Sequence, residues 1–170
     1  MDKIKDLTST LVIGLDLGTT NCKAVAVNLS GQVYAKAVAG YSLHFPHPGW
    51  VVQRAEDLWQ AVVQVLDDLA GQVRDEQVAG LSLSGAMHSL LPVDEGGEPL
   101  APAMTWADQR AASQARSSRG QVDTQALYQR TGCPLQPLYH ISKIRWWFDE
   151  MPQLAQRSAR FVGLKDWVLY

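Results

Sequence analysis

The sequence predicts an α/β fold with a mixed sheet whose first three strands are antiparallel. Three short apolar runs follow one another near the start of the chain, an amphipathic helix pattern comes next, and a fourth apolar run follows it. Strands joined by tight turns pair antiparallel, whereas a strand that returns after a helix pairs in parallel. The 170 residues contain no repeat and no flexible linker, so we expect one domain with a substantial core.

Periodicity predicts each element of the first half. We expect strands at residues 11–17, 24–27, 32–39 and 78–83, separated by turn residues. A helix is expected over residues 55–70, because apolar side chains recur there at helical spacing and acidic residues lie at its start. Its apolar positions are Leu58, Trp59, Val62, Val65, Leu66 and Leu69. This helix should lie on the sheet, and residues 41–50, rich in His, Pro and Gly, should form a surface loop.

The second half alternates short strands with helices. Strands are expected at residues 90–93 and 161–163, and another that ends near Met104 leads into a helix reaching about Arg119. Helices over residues 124–130 and 141–150 are separated by Gly132 and Pro134, and a last helix begins at Lys165 and runs to the end of the chain.

Composition and charge exclude several classes of protein. The formal net charge is −2 and basic residues do not cluster, which argues against nucleic acid as a partner. The first apolar stretch is short and contains Asp16, so it is neither a signal peptide nor a membrane-spanning helix. Cys22 and Cys133 are too few for a disulfide framework and should be reduced, partly buried thiols. We therefore expect a cytoplasmic protein that binds small molecules and no membrane.

The segment from Asp16 to Lys23 is typical of a phosphate-binding hairpin. A carboxylate inside an apolar run is costly unless it is paired, hydrated or close to a metal ion. Gly18 tolerates backbone angles that side chains forbid, and Thr19 and Thr20 supply hydroxyl and N–H donors for phosphate oxygens. An ordinary Thr-rich turn is the alternative. Lys23 either adds a cation near the phosphates or points to solvent.

Seven short motifs occur in an order that resembles one family, the carbohydrate kinases named for their Phe-Gly-Gly-Tyr (FGGY) signature. The motifs are residues 14–20 (Gly-Leu-Asp-Leu-Gly-Thr-Thr), 48–50 (Pro-Gly-Trp), 87–88 (Met-His), 106–110 (Trp-Ala-Asp-Gln-Arg), 130–132 (Arg-Thr-Gly), 142–143 (Ser-Lys) and 165–166 (Lys-Asp). Residues 84–89 followed by residues 105–110 are most similar to the gluconate kinases of this family. Glycerol kinases have an Arg-Glu pair in place of Met87 and His88, which makes glycerol a poor candidate substrate.

The resemblance implies a ribonuclease-H-like fold, as in actin and hexokinase, with helices on both faces of the sheet. It also implies transfer of the γ-phosphoryl group of ATP, with Mg²⁺, to a sugar or sugar acid, most simply gluconate to 6-phosphogluconate. Xylulose, or another ketose or polyol, is the alternative substrate. A sugar-sensing module of the same fold without catalytic activity is the alternative from another class.

Residues 1–170 correspond to the N-terminal, sugar- and phosphate-binding domain of such a kinase. In the family a C-terminal domain binds adenosine and supplies the Asp that acts as general base, and this sequence contains neither. The chain is therefore expected to be a fragment that is inactive alone. Its expected partners are the sugar or aldonate, ATP, its own C-terminal domain and, in a homodimer, a second copy.

The resemblance implies phosphate and metal contacts at the hairpin. Asp16 would orient Mg²⁺ directly or through water, because this ion prefers carboxylate ligands and keeps several waters. Gly18, Thr19 and Thr20 would contact the β- and γ-phosphates, and Lys23 would add positive charge.

Sugar contacts are implied at Met87, His88, Trp106, Asp108, Arg110 and Arg130. His88 would exchange hydrogen bonds with hydroxyls, Asp108 would accept from two adjacent hydroxyls, and Trp106 would cover an apolar face of the sugar. Packing in the core is the alternative for His88 and for Trp106. Either Arg110 or Arg130 would bind the carboxylate of an aldonate. The alternatives are that Arg110 pairs with Asp108 or holds the turn, and that Arg130 caps its own helix. Leu138 stands where glycerol kinases have a sugar-contacting Tyr, although the adjacent Tyr139 could replace it.

Overall fold

A computed structural model describes residues 10–73 and 77–170. Their contacts group the chain into two compact units, each made of two separate segments. Among the described residues, the first unit contains residues 10–42, 56–73 and 77–86, and the second contains residues 43–55 and 87–170. The chain passes from one unit to the other at residues 42–43, 55–56 and 86–87.

The described elements alternate between strands and helices much as the periodicity predicts. In chain order they are β1 (Thr10–Leu17), β2 (Asn21–Asn28), β3 (Val33–Gly40), β4 (Val52–Gln53), α1 (Ala55–Gln72), β5 (Gln77–Gly85), β6 (Leu91–Val93), β7 (Ala103–Met104), α2 (Ala112–Arg119), α3 (Thr124–Thr131), α4 (His140–Glu150), α5 (Pro152–Arg157), β8 (Arg160–Val162) and α6 (Leu164–Val168). In these two described ranges, no helix is long and apolar enough to cross a membrane.

The first unit is a mixed four-stranded sheet in the order β3-β2-β1-β5. β1 pairs antiparallel with β2, and β2 pairs antiparallel with β3. β5 returns after α1 and lies parallel to β1. These pairings are those that the succession of apolar runs predicts, because tight turns join the first three strands and a helix precedes the fourth.

The two faces of this sheet differ in burial. Leu15, Ala24 and Ala37 are neighbours across three strands and are all buried, as are most side chains of that face. Helix α1 covers this face with its own buried side chains, Leu58, Ala61, Val62, Val65 and Leu69. Trp59, predicted to share the apolar stripe, is exposed instead. The described residues of the first unit contain one helix, α1. Helices were predicted on both faces of the sheet, and within this unit a helix covers one face.

The second unit is built around a core of aromatic and aliphatic side chains. Its buried cluster is formed by Leu90, Met104, Ala111, Trp146, Trp147 and Ala155. Trp146 and Trp147 come from α4, and their rings lie 5.1 Å apart in an edge-to-face arrangement. Short strand pairs surround this cluster, with β4 antiparallel to β7 and β6 antiparallel to β8.

Residues 105–111 form a turn, whereas the sequence predicts the beginning of a helix there. The Thr105 hydroxyl accepts a hydrogen bond from Ala107 N, and the Asp108 carboxylate accepts one from Arg110 N. These side chains satisfy backbone donors that a helix would use, so α2 begins only at Ala112. The short elements β4 and α5 escaped the sequence analysis, and α6 ends at Val168 rather than continuing to Tyr170.

Candidate active site

The turn between β1 and β2 is held by main-chain contacts. Gly18 N donates to Asn21 O at 2.9 Å, and the Tyr41 hydroxyl donates to Gly18 O at 2.6 Å and to Asn21 O at 3.1 Å. A Cβ on Gly18 would lie 2.9 Å from Asn21 O. Gly18 does not have positive φ, so a close backbone approach, not the unusual angles that we predicted, requires glycine there.

Asp16 lies on the face of the sheet opposite α1, and its side chain is exposed. The predicted burial cost for this carboxylate is therefore avoided by hydration. Across the strands Asp16 pairs with Lys23 on β2 and with Ser84 on β5. Lys23 is also exposed, so it presents a cation next to the carboxylate and faces solvent at the same time.

An open depression of about 430 Å³ lies on this face of the sheet. Its polar lining consists of Asp16, Lys23, Lys36, Ser82 and Ser84. Within the described residues, no group of three or more His, Cys, Asp or Glu side chains could hold a metal ion. A single exposed carboxylate suits Mg²⁺, which takes one or two protein carboxylates and completes its shell with water and phosphate oxygens.

The charge of Asp16 affects its buried neighbours. Burial raises the pKa of the Cys22 thiol to about 11, and the Asp16 carboxylate adds to this effect. Burial also raises the pKa of the Tyr41 hydroxyl well above its usual value, with smaller contributions from Cys22 and Asp16. Both groups therefore remain protonated at neutral pH, and the Tyr41 hydroxyl keeps its proton for the bonds that hold the turn. Cys22 is buried and Cys133 is exposed, and both are free thiols.

The second unit contains all the predicted sugar-contacting residues. Met87 and His88 lie in the turn that follows β5, and His88 adopts a left-handed backbone conformation with φ of 65°. Its imidazole is partly buried and packs edge to face on Tyr139, with ring centroids 5.0 Å apart. Burial lowers the pKa of His88, and the nearby Lys143 ammonium lowers it further. A neutral imidazole has one donor and one acceptor, as recognition of hydroxyl groups requires.

Asp108 is buried and its carboxylate is occupied by the protein itself. One oxygen accepts hydrogen bonds from Val51 N at 2.8 Å and from the Arg110 guanidinium at 2.7 Å. The other accepts from Arg110 N at 3.1 Å and from Arg110 Nε at 2.9 Å. These four bonds fill the acceptor capacity of a carboxylate. The structure thus differs from the prediction that Asp108 accepts from two sugar hydroxyls, because internal donors already occupy both oxygens.

Arg110 is likewise engaged inside the second unit. Its guanidinium stacks over the Trp50 ring at 3.6 Å from the centroid and lies 5.1 Å from that of Trp146. Only 4% of its side chain is exposed. A bidentate ion pair and a cation–π contact of this kind hold a loop in place. The structure thus shows Arg110 paired with Asp108 within the 105–110 turn, while the Trp50 stacking and the Val51 N–H bond join the 48–51 loop to that turn.

The remaining predicted sugar contacts are accessible. Met87 is 74% exposed and Trp106 is 52% exposed. Trp106 is therefore not a core residue, which was the alternative to its role at the sugar. Arg130 lies on α3 with an exposed side chain. Four of the six predicted residues, Met87, His88, Trp106 and Arg130, thus keep surface that a ligand can reach.

Two contributors to this region were not predicted from the sequence. Lys143 is entirely buried, although it appeared only as part of a short motif. A signal was present, because Lys143 precedes Trp146 and Trp147 by three and four positions and so shares their helix face. Val51 contributes through its backbone N–H, which no side-chain pattern reveals.

The chain belongs to a family of sugar-phosphorylating enzymes. A profile of the FGGY family of carbohydrate kinases, N-terminal domain, matches residues 11–170. The gluconokinase of Bacillus subtilis is 33% identical over 157 residues, which cover 92% of this chain and 31% of that protein. This chain is therefore a member of the FGGY carbohydrate kinases and spans about a third of the length of the curated relatives it matches.

Other relatives act on different sugars according to their names. The apulose kinase of Pectobacterium atrosepticum is 31% identical, with 88% of this chain and 30% of that protein covered. A solved xylulose kinase from Rhodospirillum rubrum has a TM-score of 0.90 at 29% identity, covering 94% of this chain and 33% of that one. A solved gluconate kinase from Lactobacillus acidophilus has a TM-score of 0.88 at 28% identity, and the match covers 94% of this chain and 32% of that one. Glycerol kinases match as well. That of Trichormus variabilis is 28% identical, and the match covers 94% of this chain and 32% of that protein.

Proposed function

We propose that residues 1–170 are the sugar- and phosphate-binding part of an ATP-dependent kinase, and that its substrate is gluconate, which it converts to 6-phosphogluconate. Family membership and the name of the Bacillus subtilis relative support this proposal. The structural observation that carries it is that Asp16 is exposed beside a glycine turn. The Tyr41 hydroxyl holds the backbone of this turn through hydrogen bonds to Gly18 O and Asn21 O. Such a turn presents hydroxyl and N–H donors and a carboxylate on one side of the sheet.

The hairpin residues would share the work of holding a nucleotide. Thr19 and Thr20 would donate to the β- and γ-phosphates, and Lys23 would balance their charge. Asp16 would hold Mg²⁺ directly or through water. When bound, this ion would neutralise charge that develops on the phosphates. Gly18 would let the turn remain tight against Asn21 while its outer side stays open.

The exposed residues of the second unit would bind the sugar. His88 would exchange hydrogen bonds with hydroxyls, Trp106 and Met87 would cover the apolar face, and Arg130 would bind the carboxylate of an aldonate. We assign this last role to Arg130 because the Arg110 guanidinium is already paired with Asp108. Asp108 and Arg110 would act indirectly, by fixing the turn that carries Trp106.

The rest of the enzyme would lie outside these residues. We propose a C-terminal domain that supplies the adenosine pocket and the Asp that deprotonates the sugar hydroxyl, and we therefore assign no catalytic residue to this chain. The sheet would belong to the ribonuclease-H-like fold of actin and hexokinase, with helices on both of its faces. A homodimer of the whole kinase is part of the same proposal.

A kinetic assay on the natural full-length protein that carries this chain tests the proposal. ADP release would be followed with Mg²⁺, ATP and each of gluconate, xylulose, ribulose and glycerol. Turnover selective for gluconate is expected. Selectivity for xylulose would favour the second candidate, which the likeness to the Rhodospirillum rubrum xylulose kinase supports. Binding of a sugar without ADP release would instead indicate a sugar-sensing module of the same fold.

His88→Asn separates the role of the imidazole from that of the backbone. Asparagine tolerates a left-handed backbone better than most residues, so the turn should persist without its imidazole. We expect a KM for the sugar at least ten-fold higher and an unchanged KM for ATP. Val63→Ala, on the exposed side of α1, is the matched control and should change neither constant. An unchanged sugar KM in His88→Asn would remove His88 from the site.

A further inference from the structure

Lys143 is a buried cation that the proposed chemistry leaves without a role. It lies on α4, and its exposed fraction is 0%. Trp146 and Trp147 follow on the same face of the helix and are fixed in the buried core cluster. The helix cannot rotate without dislodging these two indoles, so the lysine side chain is held in one direction.

The Lys143 ammonium contacts two separate backbone segments. It donates a hydrogen bond to Thr105 O at 2.7 Å and another to His88 O. His88 carries the imidazole proposed to bind the sugar, and Thr105 immediately precedes the exposed Trp106. One buried ammonium therefore connects the two segments that present the proposed sugar contacts.

The conformation of His88 makes this contact important. A non-glycine residue with positive φ is strained, and such strain persists only where the surroundings impose it. The bond from Lys143 to the His88 carbonyl is a direct constraint on that peptide unit. Ser89, the next residue, is tied down as well, since its hydroxyl accepts a hydrogen bond from Leu164 N at 3.0 Å.

The charges around Lys143 argue against simple space filling. Asp108 and Arg110 both lie close enough to affect its titration, and His88 and His140 are the other ionisable groups near it. A buried cation costs free energy unless its partners offset the loss of water. A methionine of similar length would fill the same volume without that cost, so the polar contacts provide the reason for a lysine.

We propose that Lys143 is a positioning residue of the sugar site, which holds the carbonyls of His88 and Thr105 and thereby fixes the distance between the His88 and Trp106 side chains. This inference rests on the proposed function only for the identity of the ligand. The arrangement of the two segments is a property of the chain itself and can be tested without any substrate.

Lys143→Met in the natural full-length protein is the principal test, with Val93→Ala as the matched control. Val93 is buried in β6 of the same unit, so its truncation destabilises this unit without touching either carbonyl. For Lys143→Met we expect a KM for the sugar at least ten-fold higher, with kcat changed less than three-fold. Val93→Ala should lower thermal stability while leaving the sugar KM within two-fold of the wild-type value.

Backbone NMR provides the second readout, which needs no activity. The amide and Cα shifts of His88 and Trp106 should move in Lys143→Met and stay in place in Val93→Ala. Unmoved shifts together with an unchanged sugar KM would overturn the positioning role, even if Lys143→Met were less stable. A wild-type protein that turns over no sugar would defeat the proposed function alone, because the NMR comparison would still decide whether Lys143 positions the two segments.

Discussion

At the scale of single residues, Gly18 shows how one missing Cβ shapes the turn between β1 and β2. A methyl group there would meet Asn21 O at 2.9 Å, a distance that requires the backbone to move. We expect Gly18→Ala to lower the free energy of unfolding by about 1–3 kcal/mol, the usual cost of overpacking. It should also raise the KM for ATP, because Thr19 and Thr20 lie in the displaced turn. Urea unfolding and ADP-release kinetics measure these two effects.

Gly80→Ala is the control for this substitution. Gly80 lies on β5 of the same sheet, and a Cβ there would meet nothing within 4 Å. Alanine restricts the unfolded chain more than glycine does, so this variant should be as stable as the wild type or slightly more stable. Equal losses of stability in both variants would mean that the Asn21 contact does not explain the need for glycine at position 18.

Lys143 makes a second residue-scale prediction, on pH. Burial lowers its pKa to about 8, with Arg110 adding to the lowering and Asp108 opposing it. An unfolded lysine has a pKa of about 10.4, so between these values the unfolded chain binds more protons. The contribution of Lys143 to the free energy of unfolding therefore rises with pH across this window, by at most about 1.4 kcal/mol per pH unit. Below the folded pKa the lysine is charged in both states, so the free-energy cost of burying the ammonium destabilises the folded protein in full.

Urea unfolding of wild type and Lys143→Met at several pH values measures this contribution. The unfolding free energy of the wild type should rise relative to that of Lys143→Met as the pH rises from about 8 to about 10. His88 and His140 have lowered pKa values and are neutral throughout this range. The pKa of Cys22 is raised to about 11, so its thiol titrates later. A difference that stays constant with pH would show that Lys143 titrates normally.

At the scale of elements, periodicity predicts most strands and helices because their apolar faces are regular. The buried side chains of α1 recur at helical spacing, and β2 and β3 bury every second residue from Cys22 to Asn28 and from Ala35 to Ala39. The 105–111 turn was not predictable, because its conformation depends on side chains that bond to nearby backbone groups and to residue 51. The pairing of Arg110 with Asp108, an alternative that the sequence did suggest, is confirmed, but its link to Val51 and Trp50 could not be predicted because that link depends on the same turn.

Helix α3 provides a prediction about its own beginning. The Asp123 carboxylate accepts hydrogen bonds from Gln125 N at 3.1 Å and Ala126 N at 3.0 Å, and α3 buries none of its residues. Its stability therefore depends strongly on this cap. We expect Asp123→Ala to lower the free energy of unfolding by about 1 kcal/mol. Because α3 carries Arg130, the affinity for an aldonate should fall as well.

Asp123→Asn is the conservative comparison for this helix. Asparagine is as good an N-cap as aspartate, so the variant should keep nearly all of the stability. Urea unfolding gives the stability difference, and amide hydrogen exchange at the first turn of α3 reports the local effect. Equal exchange rates in Asp123→Ala and the wild type would show that the side-chain cap does not hold the helix.

At the scale of the whole molecule, neither compact unit is a continuous piece of chain. Residues 43–55 belong to the second unit, although they lie between β3 and most of α1 of the first. Their contacts explain this membership, because β4 pairs with β7, Val51 N bonds to Asp108, and Trp50 stacks on Arg110. The sequence indicated a loop at residues 41–50 but not that this loop belongs with residues 87–170, because the contacts that place it there join segments far apart in the chain.

The interleaved chain predicts that residues 87–170 do not fold alone. Without residues 43–55, β7 loses its partner strand, the buried Asp108 carboxylate loses a donor, and the Arg110 guanidinium loses the ring it stacks on. The loss of a hydrogen-bond donor to a buried carboxylate is destabilising. We expect this fragment to show no cooperative urea transition and no near-ultraviolet circular dichroism from Trp146 and Trp147.

A synthetic peptide of residues 43–55 should restore both signals in a saturable way, whereas the same peptide with Trp50→Ala should require a much higher concentration. A cooperative transition of residues 87–170 without the peptide would show that the core around Trp146 and Trp147 suffices, and that the loop from residue 48 to residue 51 joins a unit already formed.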